Sequence, residues 1–100
     1  MPEFTSPFSA LVPGRKMTME ELRRAVRFGI AAEYEAVQIY QQIAETTDDP
    51  LVKKVMTDVA NEELEHVGEF LELLRQIAPE EEGFYRHGAE EVREMMEAPH

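Results

Sequence analysis

The chain has 100 residues, with 21 acidic against 10 basic side chains, a formal net charge of -11 and no cysteine. One small domain fits that length. The absent cysteines exclude disulfides and thiolate metal sites and suit a reducing cytosol, and so acidic a surface repels phosphate backbones, so that nucleic acid is not an expected partner. No apolar run approaches the roughly 20 residues of a membrane span. Met1-Pro2-Glu3-Phe4-Thr5 lacks the basic start and apolar core of a signal peptide, so the expected setting is cytoplasmic.

Residues 1–17 hold Pro2, Pro7, Pro13 and Gly14, with Phe4, Phe8, Leu11 and Val12 scattered among them. The prolines oppose a helix, and the segment reads as a flexible N-terminal arm, or as an arm whose aromatics dock on a neighbouring subunit. Residues 18–100 form the helical domain. Thr18 and Glu21 make a capping box that opens the first helix, and Glu20 and Glu21 sit where the positive end of the helix dipole favours acids. That helix is expected to run to about Thr46, ahead of the turn Thr46-Thr47-Asp48-Asp49-Pro50. Asp49 caps the second helix and Pro50 fits its first position, where a missing N–H is no loss. Pro79 stops the second helix near Ala78. A turn this short makes two long helices antiparallel neighbours. Beyond Pro79, Gly83 and Gly88 read as turns in an acidic linker, and a short third helix is expected over Ala89 to Glu97.

The chemistry concentrates in Glu62-Glu63-Leu64-Glu65-His66. Glu63 and His66 stand three apart, which puts a carboxylate and an imidazole on one helix face, able to aim at a single ion. Val52, Met56, Val59, Glu63, His66, Phe70, Leu73 and Ile77 alternate in steps of four and three, as the seam of a packed helix does. Every member is apolar except Glu63 and His66. The first helix repeats the pattern with Leu22, Val26, Gly29, Glu33, Ala36, Tyr40 and Ile43, and Glu33 is its lone charge. An unpaired buried carboxylate costs several kcal/mol, so such residues neutralise, find partners or bind metal. Metal is the preferred reading, with Glu33, Glu63 and His66 as ligands. The alternative is a buried polar network of the same three residues that fixes register.

A di-iron carboxylate bundle needs a Glu from each of two helices and a Glu-x-x-His from each of two others. This chain offers half of that set. A second copy across a two-fold axis completes it, with two irons per subunit pair held at the interface. Four carboxylates then balance two ferrous ions, and without metal they repel one another. Both helices also carry a second apolar row (Ala60, Leu64, Val67, Leu71, Leu74 and Ala78 on one, Ile30, Tyr34 and Val37 on the other). One partner helix cannot cover so wide a face, so the chain is expected to associate. The fold expected is all-α: an antiparallel two-helix hairpin plus a short third helix, forming a four-helix bundle on dimerisation.

Ala32-Glu33-Tyr34-Glu35-Ala36-Val37-Gln38-Ile39-Tyr40 and Glu62-Glu63-Leu64-Glu65-His66-Val67-Gly68-Glu69-Phe70 resemble the first- and second-helix motifs of the encapsulated ferritins. The likeness covers roughly residues 18 to 97. It implies a ferritin-like bundle, with Glu33, Glu63 and His66 as the ligands of a ferroxidase centre assembled between two hairpins. It implies a homodimer built into a ring, a decamer, and oxidation of ferrous iron for storage inside an encapsulin nanocompartment, with the shell protein as partner. By the same resemblance Tyr40 matches an aromatic beside the centre and Glu35 an acid near the path by which iron arrives. Ala32 stands where some members carry another acid. The final Met95-Met96-Glu97-Ala98-Pro99-His100 shows no short shell-targeting tail.

The bland readings are definite too. A tyrosine at a core position usually packs, and Tyr40 is expected to pack near the site. Glu35, Glu65, Glu69 and Glu72 read as a solvated face, Glu62 as exposed, and His87 and His100 as loop or terminus. Two rival functions remain: a rubrerythrin-like di-iron oxidase or peroxidase without storage, and a non-enzymatic helical assembly module.

Overall fold

The capping box forms where the sequence predicts it. The Glu21 amide donates to the Thr18 hydroxyl at 3.1 Å, and the Glu21 carboxylate accepts from the Thr18 amide at 2.8 Å. From this start runs the first of three helices in a computed structural model that describes residues 14–98: α1 (Met19–Thr46), α2 (Pro50–Ile77) and α3 (Glu81–Glu97). No strand occurs among the described residues. Asp49 caps α2 by accepting from the amides of Leu51 and Val52 at 2.9 and 3.2 Å, with Pro50 in the first turn. The expected arm lies outside the described residues up to residue 13. At Arg15 the chain is tied down, its guanidinium donating to both oxygens of Glu21 at 2.9 and 2.8 Å.

α1 and α2 pair antiparallel. Arg23 lies against Ile77, Gly29 against Phe70 and Glu33 against His66, so the numbers fall on one helix as they rise on the other. The line of closest packing is made by Val26, Val37 and Ala44 on α1 with Ala60, Val67 and Leu74 on α2, and Ala78 just beyond. The steps of seven from 37 to 44 and from 60 through 67 to 74 are those of helices that pack along one stripe, and alanines in that stripe let the axes come close. This corrects the expected seam. Of the α2 seam, Val52, Met56, Val59, Glu63, Phe70 and Ile77 are only half-buried, while His66 and Leu73 are exposed. The physical reason is that a two-helix pair has a single line of contact: on α2 the second row takes it, while on α1 it is made by Val26 of the expected seam, Val37 of the second row and Ala44 of neither. The seam carrying Glu33, Glu63 and His66 runs along one side of the hairpin, and Leu64 and Leu71 are exposed as well.

The second correction concerns residues 79–88. They are no linker: α3 starts at Glu81 and passes through Gly83 and Gly88 without a break. Neither glycine has a positive φ, and a Cβ on either would meet nothing within 4 Å. Each glycine costs a helix about 1 kcal/mol relative to alanine. Glu81 and Glu82 in the first turn offset part of that cost, as does an i,i+4 pair between His87 and Glu91 at 3.1 Å. His87 is therefore a helical residue, not a loop one. None of the residues of α3 is buried.

Candidate metal centre

Glu33 reaches the seam side from α1, one turn beyond half-buried Ile30 and one turn before buried Val37. Glu63 and His66 reach the same level from α2, flanking the position where Val67 locks that helix onto α1. The His66 Nδ1 atom stands 3.6 Å from Glu33 Oε2 and 3.5 Å from Glu63 Oε2. One donor atom from each of the three residues lies within 4.8 Å of the others. Donors bound to one ion at about 2.1 Å lie roughly 3–3.5 Å apart, close to the two His66–carboxylate separations, so a shared cation could be accommodated with small side-chain shifts.

Burial agrees. Glu33 Oε2 is out of water and has no hydrogen-bond partner among the described residues. A buried carboxylate oxygen without a donor is costly unless a cation meets it. Two carboxylates and an imidazole form a hard-to-borderline donor set that suits iron, manganese or zinc. The pocket is also one-sided: the Glu33 and Glu63 side chains are 21% and 19% exposed, that of His66 47%. The three side chains could hold a cation between them, and the outer side of the group opens along the half-buried seam.

The other residues singled out by the sequence are not in this group. Tyr40 is half-buried two turns further along α1. Glu35 follows Glu33 by two positions, which turns it to a different side of the helix, and it too stays outside the cluster. Glu62, Glu65, Glu69 and Glu72 are exposed. Glu72 is engaged locally, with Gln76 at 2.7 Å and Arg75 at 3.3 Å. A second charged constellation was not foreseen. Arg23 and Arg27 of α1 and Arg75 of α2 meet Glu80, Glu81 and Glu82. Its only sequence signal is the run of three glutamates after Pro79.

The family described as EncFtn-like matches residues 15–87. The chain belongs to the EncFtn-like family, the encapsulated ferritins. It is 44% identical over 78 residues to a ferritin-like–encapsulin shell fusion protein of Pyrococcus furiosus, covering 78% of this chain but only 23% of that protein's length. It is 39% identical over 93 residues to the encapsulin nanocompartment cargo protein EncC of Myxococcus xanthus, covering 93% of this chain and 70% of that protein. Among solved structures it resembles the crystal structure of an encapsulated ferritin domain from Pyrococcus furiosus. The TM-score is 0.82 and the identity 37%, over 92% of this chain and 94% of the other. The all-α architecture is thus that of the encapsulated ferritin domain. No helix of the described residues is long and apolar enough to cross a membrane.

Proposed function

We propose that this encapsulated ferritin binds ferrous iron between two copies of itself, passes the electrons to oxygen and delivers ferric iron for storage in an encapsulin compartment. The observation that carries the reading is the convergence of Glu33, Glu63 and His66 around a buried, unpartnered carboxylate oxygen. Two such half-sites facing across a two-fold axis bring four carboxylates and two imidazoles to two iron ions, in a ferritin-like four-helix bundle. Carboxylates stabilise the ferric product over the ferrous substrate, which favours oxidation.

A hairpin of two helices with one further helix is too small to house mineral on its own, so storage needs a container. The fusion relative and the cargo relative both bear encapsulin in their names, which is why an encapsulin shell is the proposed partner and its interior the proposed location. A ring assembled from dimers, a decamer, is the proposed higher order.

Anaerobic loading with ferrous iron, followed by oxygen, tests the reading. Native mass spectrometry should count two irons per subunit pair, and ferric absorbance should grow on oxygenation. Glu33→Ala and His66→Ala should abolish both. Oxidation without mineral in the presence of a shell would support the oxidase rival, and no tight iron would support the assembly module.

A further inference from the structure

Among the described residues, α3 has no buried apolar face that would fix its direction. None of its residues is buried, and Phe84, Tyr85, Val92, Met95 and Met96 are all exposed. What joins it to the hairpin is a short turn at Ala78-Pro79-Glu80, with the Glu81 amide donating to the Ala78 carbonyl at 3.1 Å and the Glu82 amide to that of Pro79 at 3.2 Å. Around this turn stand three arginines. Arg23 Nε donates to the Ile77 carbonyl at 2.7 Å, at the C-terminal end of α2, and Arg23 Nη1 lies 3.0 Å from Glu80. Arg27 pairs with Glu81, which also accepts from the Tyr85 hydroxyl. Arg75 Nε lies 3.3 Å from Glu82.

The arrangement matches the helix ends it joins. The C-terminus of α2 carries partial negative charge and attracts guanidinium groups, while the N-terminus of α3 carries partial positive charge and attracts carboxylates. A single exposed ion pair contributes little. Here one member of each of two pairs is sheltered, Glu81 at 16% and Arg23 at 25% exposed, while their partners Arg27 and Glu80 are 43% and 57% exposed, and three pairs act together.

We propose that α3 is a charge-clamped arm. Arg23, Arg27 and Arg75 grip Glu80, Glu81 and Glu82 and so set its angle to the hairpin, and high ionic strength frees it while the hairpin stays folded. At physiological salt the Debye length is about 8 Å, well beyond the contact distances, whereas near 1 M it falls to about 3 Å and matches them. Because α3 carries the exposed Phe84, Tyr85, Val92, Met95 and Met96, the clamp decides where that apolar stripe is aimed.

The chain has no cysteine, so paired spin labels can be placed freely, at Gln38→Cys on α1 and Glu90→Cys on α3 of the full-length protein, diluted with unlabelled chain. Pulsed dipolar spectroscopy should give a narrow distance distribution at low salt that broadens near 1 M salt, with unchanged far-UV circular dichroism. Arg23→Gln/Arg27→Gln/Arg75→Gln should broaden it at low salt. Since removing Arg23 also removes a cap from α2, Glu80→Gln/Glu81→Gln/Glu82→Gln attacks the clamp from the other side and should do the same. A distribution already broad in the wild type at low salt overturns the proposal. So does one that stays narrow in both variants, whatever salt does.

Discussion

Glu33 Oε2 is sheltered from water and no donor reaches it; the nearest candidate, His66 Nδ1, is 3.6 Å away. In the metal-free protein this group therefore costs free energy. Glu33→Gln keeps the shape and removes the charge, so metal-free stability should be unchanged or higher by about 1 kcal/mol, while tight iron is lost. Urea unfolding with and without a chelator, alongside iron counting, checks both halves; a loss of more than about 2 kcal/mol without metal would show that the carboxylate has a structural partner. Glu21 is the opposite case, a carboxylate with too many donors to protonate easily. The Arg15 guanidinium, and then the Thr18 amide, hold its carboxyl down to about 2, against an ordinary 4.5. Lowering the pKa in the folded protein means that this contribution is complete above pH 4.5 and is lost as pH falls towards 2. Carboxyl carbon NMR should therefore show Glu21 titrating well below the ordinary 4.5, and Arg15→Ala should move it back up. Fraying of the first turn of α1, read by amide exchange, should follow the same pH window.

At the scale of elements, the packed line and the free rows make different demands. Leu74 is 4% exposed and Leu71 44%. Leu74→Ala should cost about 2–4 kcal/mol of hairpin stability, whereas Leu71→Ala should cost under about 0.5 kcal/mol, both read by denaturant unfolding of the metal-free protein. Which row would be buried was not legible in the sequence. Both α2 rows are apolar with helical spacing, and periodicity does not say which of two adjacent stripes meets the partner. The helix starts were legible because their causes are local: Thr18 with Glu21, and Asp49 with Pro50. That Glu33 comes level with His66 was legible too, because a short turn at 46–50 sets the register of two straight helices. Gly83 and Gly88 misled because glycine is a weak signal worth only about 1 kcal/mol each, outweighed here by the glutamates, alanine and methionines around them. With nothing within 4 Å of either added Cβ, Gly83→Ala and Gly88→Ala should each stabilise α3 by up to about 1 kcal/mol, visible as slower amide exchange confined to that helix. The arginine–glutamate clamp was beyond reach for a different reason: two of its pairs link residues 54 and more positions apart.

For the molecule as a whole, the open side of the Glu33–Glu63–His66 group and the half-buried seam are one surface. Gly29, Glu33, Ala36 and Tyr40 on α1, with Glu63 and Phe70 on α2, are neither in the core nor fully in water, and Leu73 beside them is 45% exposed. Small residues at Ala25, Gly29 and Ala36 leave this side shallow, with a small recess lined by Ala25, Val26, Gly29, Phe70 and Leu73. A flat apolar side interrupted only by three potential ligands is what a second hairpin needs in order to pack closely and bring its own Glu33, Glu63 and His66 opposite. If it does, a charge placed on the seam but away from the ligands should disable the centre without touching it. Leu73→Glu adds a carboxylate to a side that already gathers four per pair, and it should leave helicity intact. The protein should then run as a smaller species on sizing columns, bind ferrous iron weakly and lose oxidation. Leu71→Glu, at an equally exposed position in the second row rather than on the ligand-bearing seam, should leave iron stoichiometry and oxidation rate near those of the wild type. Equal loss in both variants would show that the seam is not the face on which the centre depends, and full iron loading of a monomeric Leu73→Glu protein would show that one hairpin holds its iron alone.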